Sequence, residues 1–243
     1  MSRGAALIVG AGDGIGRSCA HAFAAGGLTA CVTRRARHAD QLDALVAEIE
    51  AAGGHARAFP SDAREEDETV RLFDTIEAEV GPLEVVVFNI GANVRFGVRE
   101  MTAQVYRKVW EMAAFAGFLA GRETARVMVP RGRGTILFTG ATASLRGGAG
   151  FSAFAGAKFA LRALAQSMAR ELGPHGIHVV HVVLDGAVDG AFIRGIRPDR
   201  EERLAEDALL TPDHVAAEYV RLWQQPRDTW THELDLRPWK ETF

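Results

Sequence analysis

A glycine-rich turn near the start of the chain is the strongest chemical signal in the sequence. The apolar segment Ala5–Val9 predicts a β-strand, and four glycines follow it directly, before a segment with helical character. A strand–turn–helix of this kind directs backbone N–H groups and the helix N-terminus at a pyrophosphate, and glycine omits the Cβ that would block the close approach. The turn therefore predicts dinucleotide binding, with cofactor contacts from Gly10, Gly12, Asp13, Gly14, Ile15 and Gly16.

The end of the second predicted strand carries the residues that would distinguish NAD from NADP. An acidic residue there would hydrogen-bond a free ribose 2′-hydroxyl, whereas an arginine would pair with a 2′-phosphate. Thr33 is followed by Arg34 and Arg35, and no carboxylate comes before Asp40. The sequence therefore favours NADP. NAD stays the alternative, because Asp13 would repel a phosphate and because two arginines at a strand end are also typical of a solvated surface.

The elements that must position these residues alternate between short apolar runs and longer segments of helical periodicity. The runs predict strands buried on both faces at residues 5–9, 29–33, 56–59, 83–88, 134–139 and 177–184, with a last strand at 233–236. The periodic segments predict helices near 14–26, 39–52, 65–79, 102–128, 152–173 and 213–223. Alternation of this kind predicts an α/β fold, a single-domain Rossmann fold over residues 1–243, with a doubly wound parallel sheet and helices on both faces.

Composition excludes several classes of protein. The 243 residues carry a formal net charge of −3, which argues against nucleic acid or an anionic membrane as a partner. No apolar run approaches the roughly 18 to 20 residues of a membrane helix. Two cysteines without a Cys/His cluster indicate neither a disulfide framework nor a metal site. A cytoplasmic protein without a metal is the expectation.

The segment 186–212 interrupts the regular pattern with three glycines, a proline and a charged stretch. Irregular segments of this length in compact domains are usually functional or disordered. We expect it to act as a lid over a small-molecule substrate, the alternative being a mobile surface loop.

The motifs together resemble the short-chain dehydrogenase/reductase family over essentially the whole chain. The resemblance rests on the glycine turn, on Asp62 after the third strand, on Asn89-Ile90-Gly91 after the fourth and on Lys158 in a long helix. It implies a seven-stranded sheet in the order 3-2-1-4-5-6-7. It further implies that Asp62 contacts adenine, that Asn89 steadies the sheet, that Gly91 and Gly186 border the cofactor, and that Lys158 holds the nicotinamide ribose.

Three positions depart from the catalytic pattern of that family. Its YxxxK motif is present as Phe154-Ala155-Gly156-Ala157-Lys158, so phenylalanine stands at the place of the proton-donating tyrosine. The serine register, 13 residues earlier, falls on Ala141, and the asparagine register falls on Ala113. A positioned general acid typically contributes 10²–10⁴-fold, and no side chain at these three positions can supply a proton. Ordinary carbonyl chemistry should therefore be severely reduced.

A substitute acid is conceivable at Asp185, where the family has proline beside the nicotinamide. A partly desolvated carboxylate there could have a raised pKa and act as acid or base. The alternative is that Asp185 caps the following turn by accepting backbone N–H groups. Thr142 is a weaker substitute, because alternation along an extended segment turns it away from the face of Ala141.

Three functions remain open at this point. The first is an NAD(P)-dependent oxidoreductase acting on an unknown small carbonyl or alcohol, with a degenerate active site. The second is a nucleotide-binding scaffold or sensor without catalysis, and the third is a lyase or isomerase that uses the same pocket. The resemblance also implies a homodimer or homotetramer assembled through the helices near 102–128 and 152–173.

Overall fold

Seven parallel strands form one sheet in the order β3-β2-β1-β4-β5-β6-β7, which confirms the predicted topology and fold class. The computed structural model describes residues 4–242. The chain order reverses at β1, which lies between β2 and β4. The strands are β1 (Ala5–Val9), β2 (Thr29–Thr33), β3 (His55–Ala58), β4 (Leu83–Phe88), β5 (Gly134–Thr139), β6 (Ile177–Leu184) and β7 (Glu233–Leu236).

Helices cover both faces of the sheet. They are α1 (Ile15–Ala25), α2 (Ala39–Ala51), α3 (Glu66–Glu79), α4 (Ala103–Trp110), α5 (Ala116–Met128), α6 (Ser152–Leu172), α7 (Ala191–Ile196), α8 (Arg200–Ala205) and α9 (Pro212–Trp223). A π-helical turn, Glu111–Phe115, interrupts the predicted helix 102–128 and separates α4 from α5. The predicted lid segment is not structureless, because it contains α7 and α8. Within residues 4–242, no helix has both the length and the apolar character needed to cross a membrane.

The two apolar layers explain why the strands are predictable. Side chains on one face of the sheet pack with Phe23 of α1, Leu42 of α2 and Tyr219 of α9. Those on the other face pack with Phe73 of α3 and Leu161 of α6. Strands between two helical layers expose neither face to water, so their sequences are continuously apolar instead of alternating.

A buried histidine links β6 to β7 in this core. His181 is fully buried, and its Nδ1 lies 3.0 Å from Glu233 Oε2, which also accepts from Arg162 of α6. Burial lowers the pKa of His181 to about 4, although Glu233 opposes the change. Arg162 lowers the pKa of Glu233. His181 is therefore neutral in the folded protein under conditions where the unfolded chain is already protonated.

We expect the free energy of unfolding to decrease as the pH falls from about 6.5, the unfolded pKa of histidine, towards 4. Over that interval the unfolded chain binds a proton at His181 that the folded chain does not bind. The loss should be about 2–3 kcal/mol by pH 4.5, as measured by urea denaturation. The His181→Asn variant should lack this part of the pH dependence, whereas His55→Asn, at an exposed position on β3, should keep it. Equal pH profiles for wild type and His181→Asn would contradict the assignment.

Candidate active site

Two cavities lie at the carboxyl ends of the central strands, on either side of the glycine turn. The larger has a volume of about 750 Å³ and the smaller about 210 Å³. Gly10, Gly12, Asn89 and Gly91 line both of them. The cavities therefore meet where the strand order reverses, which is the place where open α/β sheets bind their ligands.

Close backbone packing explains the glycine turn. A Cβ on Gly16 would lie 2.4 Å from Gly10 O and 2.7 Å from the Cα of Ala11, so only glycine lets α1 begin this close to the turn. Gly10 has a φ of +95°, and Asn89 Nδ2 donates to its carbonyl oxygen over 3.2 Å. Asn89 thus ties the end of β4 to the turn. The residues Gly10, Gly12, Asp13, Gly14, Ile15 and Gly16 all line the larger cavity.

A cationic cluster lines the smaller cavity. Arg34, Arg35 and His38 lie on its wall, and the Arg34 guanidinium sits beside Gly12 of the turn and bonds Gln41. Burial, followed by repulsion from Arg35 and Arg37, lowers the pKa of Arg34. Burial, followed by repulsion from Arg34, Arg37 and Arg35, lowers the pKa of His38. Mutual repulsion of this kind would be relieved by a bound anion.

Two buried hydroxyls and an ion pair complete the smaller cavity. Thr33 Oγ1 and Ser61 Oγ are buried and have no hydrogen-bond partner within residues 4–242, although both residues line the cavity. Asp62 also lines it, and Arg64 Nε donates to the Asp62 carboxylate over 2.9 Å. That hydrogen bond is the main reason why the pKa of Asp62 is lowered. The unpartnered hydroxyls and the cations suit the ribose and phosphate of a nucleotide.

Lys158 of α6 lies at the opposite end, on the wall of the larger cavity. Its side chain is buried, and Nζ donates to Thr139 O over 2.7 Å and to Ile90 O over 3.2 Å. Burial lowers the pKa of Lys158 to about 8. The ammonium lies 5.9 Å from the centre of the Phe154 ring, one helical turn earlier. Lys158 is thus fixed by two carbonyl oxygens, and no carboxylate of residues 4–242 pairs with it.

The three positions at which the sequence predicts a departure from the catalytic pattern differ in their access to the cavity. Phe154 and Ala141 both line it. Ala113 is fully buried in the π-helical turn and packs in a small apolar cluster that includes Ala153 and Ala157 of α6. A substrate could therefore contact positions 141 and 154, whereas position 113 lies in the protein interior.

Asp185 does not have the position that an acid facing the cavity would require. Its side chain is fully buried and is not part of the cavity wall. Oδ1 accepts from the Thr142 hydroxyl over 2.7 Å and lies 3.4 Å from Arg146 Nη2, while Oδ2 lies 3.6 Å from Arg237 Nη2. Within residues 4–242, the Asp185 carboxylate thus contacts other side chains, and not the backbone N–H groups that the capping alternative requires.

Thr142 lines the cavity, contrary to the expectation that it points away. The expectation assumed an extended chain, but residues Thr142–Ser144 form a 3₁₀ turn directly after Ala141. Because a carboxylate only accepts, the Thr142 hydroxyl donates its proton to Asp185. Its lone pairs remain available to accept a hydrogen bond from a bound molecule.

The segment 186–212, predicted to act as a lid, packs directly on the glycine turn. Arg194 of α7 pairs with the Asp13 carboxylate, and Gly190 lies against the Asp13 backbone. Gly186 lines the larger cavity. Pro238 packs so closely on Gly186 that a Cβ on this glycine would lie 2.6 Å from Pro238 Cδ. Pairing with Arg194 offsets the negative charge of Asp13. Asp13 would therefore repel a phosphate less than its sequence position suggests.

Sequence reasoning missed several polar residues of the site. Arg64 lies two residues after Asp62, whose carboxylate accepts from it, so that neighbour was an available signal. Arg146 had no signal in the sequence, because its carboxylate partner, Asp185, lies 39 positions away in the chain. Asp13 and Arg194 are separated by 181 positions in the chain, so the sequence gives no sign of their contact either. Asn93 lines the larger cavity and follows the recognised Asn89-Ile90-Gly91 segment by two residues, so that motif was the one available signal.

The fold and the cavities define a dinucleotide-binding α/β protein of the Rossmann type. The short chain dehydrogenase family model matches residues 4–201. The chain therefore belongs to the short-chain dehydrogenase/reductase family, a family of NAD(P)-binding oxidoreductases.

Known relatives agree with this assignment along most of their length. A crystal structure of a short-chain dehydrogenase from Rhodopseudomonas palustris shares 49% identity, with a TM-score of 0.83 over 97% of this chain and 99% of that one. A 7α-hydroxysteroid dehydrogenase complexed with NADH and 7-oxo glycochenodeoxycholic acid has a TM-score of 0.88 at 26% identity, over 97% and 93% of the two chains. Zerumbone synthase from Zingiber zerumbet is 31% identical over 206 residues, 84% of this chain and 75% of that protein.

Proposed function

We propose that the protein is an oxidoreductase that prefers NADP to NAD and acts on a small carbonyl or alcohol with reduced proton-transfer machinery. The observation that carries this proposal is the pair of joined cavities, with Arg34 and Arg35 at one end and Lys158 at the other. Arginine and a phosphate form charge-assisted hydrogen bonds, so Arg34 and Arg35 would hold a ribose 2′-phosphate. The unpartnered hydroxyls of Thr33 and Ser61 support the same placement.

The residues at the other end would bind and orient without supplying a strong acid. A nicotinamide, when bound, supplies or accepts the hydride. Lys158 would donate its remaining N–H to the sugar hydroxyls, since two of its hydrogens already bond carbonyl oxygens. Thr142 would accept a hydrogen bond from a substrate hydroxyl. Phe154 and Ala141 would provide only an apolar wall, so turnover should be slow.

A second candidate function is a nucleotide-binding scaffold or sensor without catalysis. Phe154 and Ala141, on the cavity wall where proton transfer would occur, favour it, because neither side chain has an exchangeable proton. A lyase or isomerase in the same cavity would meet the same shortage of acids. The oxidoreductase proposal takes precedence because the residues predicted to bind the nucleotide, from Arg34 and Arg35 to Lys158, line the two cavities, which supports nucleotide binding.

An assembly of identical subunits would cover the exposed aromatic surface of α4, the π-helical turn, α5 and α6. Tyr106, Trp110, Phe118 and Phe159 are each more than two-fifths exposed. The rings of Trp110, Phe115 and Phe118 form a stacked series along one side. Exposed aromatic clusters mark interaction surfaces, so we infer a homodimer or homotetramer through these helices.

Titration with the four nicotinamide nucleotides tests the proposal. We expect NADPH and NADP to bind at least tenfold more tightly than NADH and NAD in calorimetry. Replacing both arginines, Arg34→Gln with Arg35→Gln, should weaken NADPH binding by about 10–100-fold, the contribution of charged hydrogen bonds to a phosphate. NADH binding should change less than threefold.

The matched control is Arg37→Gln, which removes the same charge from the same segment but does not line the cavity. Arg37→Gln should weaken NADPH binding less than the joint replacement of Arg34 and Arg35 does. Equal affinity for NADPH and NADH would overturn the NADP preference alone. If none of the four nucleotides binds, the oxidoreductase proposal fails.

A further inference from the structure

One arginine stands out on the wall of the larger cavity at the end that holds Phe154 and Lys158, here called the Lys158 end. Most side chains there are small or apolar, including Ala141, Ala143, Phe151 and Phe154. Arg146 follows the 3₁₀ turn and also lines the cavity, with its side chain 44% exposed. An apolar wall with one accessible guanidinium favours a molecule that has an apolar body and an anionic group.

Asp185 positions Arg146 from behind the wall. The carboxylate is fully buried, and the single hydrogen bond of the Arg146 side chain to a residue in 4–242 is the 3.4 Å contact to Asp185 Oδ1. A guanidinium has five N–H donors, so most of its donors stay available. The shared oxygen also holds the Thr142 hydroxyl, so the buried carboxylate fixes two polar groups on the cavity wall.

The charges on the cavity wall have one sign at this end. Lys158 and Arg146 are cationic. Asp13 is the one carboxylate that the described residues contribute to the wall, and it lies in the glycine turn, paired with Arg194. A carboxylate on a bound molecule would therefore meet the Arg146 guanidinium at the Lys158 end, with the Lys158 ammonium on the same wall and the Asp185 carboxylate behind the wall.

We propose that Arg146 determines substrate specificity by binding a carboxylate, so that the substrates are oxo acids or hydroxy acids with an apolar body. This inference rests on the proposed oxidoreductase function and specifies its substrate class. The planar fork of a guanidinium matches a carboxylate with two parallel hydrogen bonds. Asp185 is then a positioning residue, since it contacts Arg146 and Thr142 and not the substrate.

A pair of compounds that differ only in charge tests the proposal. We choose 4-oxo-4-phenylbutanoate and its methyl ester, and measure their binding to NADPH-saturated protein by calorimetry and their reduction at 340 nm. The acid should bind at least tenfold more tightly than the ester. The Arg146→Gln variant should weaken acid binding by about 10–100-fold and change ester binding less than threefold. Arg146→Lys should restore part of the preference, since it keeps the charge without the fork.

Arg95→Gln is the matched control. Arg95 stacks on Phe151 at 5.8 Å but does not line the cavity, so its variant should retain the acid preference. Equal binding of acid and ester, no binding of either, or equal losses for both in Arg146→Gln would overturn the proposal. If NADPH does not bind at all, the oxidoreductase proposal fails separately, and the same two titrations on the protein alone still decide whether Arg146 selects a carboxylate.

Discussion

Replacing Phe154 by tyrosine and Ala141 by serine together is expected to raise carbonyl reduction by about 10²–10⁴-fold, the usual contribution of a positioned general acid. Both positions line the larger cavity, so the new hydroxyls would reach a bound carbonyl. The Lys158 ammonium, 5.9 Å from the centre of the ring at position 154, would stabilise a phenolate and lower the tyrosine pKa. The measurement is kcat/KM over a panel of carbonyl compounds with NADPH.

The size of the gain depends on both substitutions. Phe154→Tyr alone should give most of it, because it supplies the proton, and Ala141→Ser alone should give little, because a serine hydroxyl orients the carbonyl without an acid beside it. Phe151→Tyr is the matched control, since it adds the same hydroxyl to the same cavity outside the Lys158 helical turn. A double variant that binds NADPH as the wild type does, yet gains less than tenfold, would show that the cavity does not orient a carbonyl and would favour the scaffold alternative.

The strands were predictable because burial on both faces of the sheet makes almost every residue of a strand apolar. Six of the seven observed strands have the predicted bounds, and β3, at His55–Ala58, begins and ends one residue earlier than predicted. That strand lies at the edge of the sheet, where three of its four residues are at least partly exposed to water, so its pattern is weaker. The helix bounds agree to within one or two residues for the same reason, apart from the π-helical turn, which has no signature in hydrophobic periodicity.

The site divides into a local part and a part made by tertiary contacts. Element order placed the glycine turn, Arg34 and Arg35 at the carboxyl ends of the strands, and the family resemblance added Asn89 and Lys158. Asp185 shows the limit of this approach. Its side chain turns away from the cavity because Thr142, Arg146 and Arg237 surround it, and all three come from distant parts of the chain.

The segment 186–212 was likewise predictable only in part. The glycines and the charged stretch predicted an irregular segment, and short helices α7 and α8 form within it. Helices of this length are not stable alone, so packing must stabilise them. Arg203 of α8 donates to Ala208 O, and Trp239 near the end of the chain donates to Glu206 O. Such contacts depend on the final fold and leave no periodic pattern.

Substituting Gly16 by alanine should have the largest effect on stability. The added methyl would meet backbone atoms, Gly10 O at 2.4 Å and the Ala11 Cα at 2.7 Å, and neither can move without shifting α1 from the end of β1. We expect the free energy of unfolding to fall by about 3–5 kcal/mol and Tm by on the order of 10 °C. Nucleotide affinity should fall by at least 100-fold, because the same shift removes the backbone N–H groups from the pyrophosphate.

Gly195→Ala separates this steric effect from the general consequence of replacing a glycine. Gly195 lies within α7, and a Cβ there would meet no atom within 4 Å. Its variant should keep Tm unchanged or raise it slightly, because alanine reduces the entropy of the unfolded chain. If Gly16→Ala melts within 2 °C of the wild type and binds NADPH with the same affinity, the turn tolerates a side chain and the close approach of α1 to β1 is not what makes the nucleotide site.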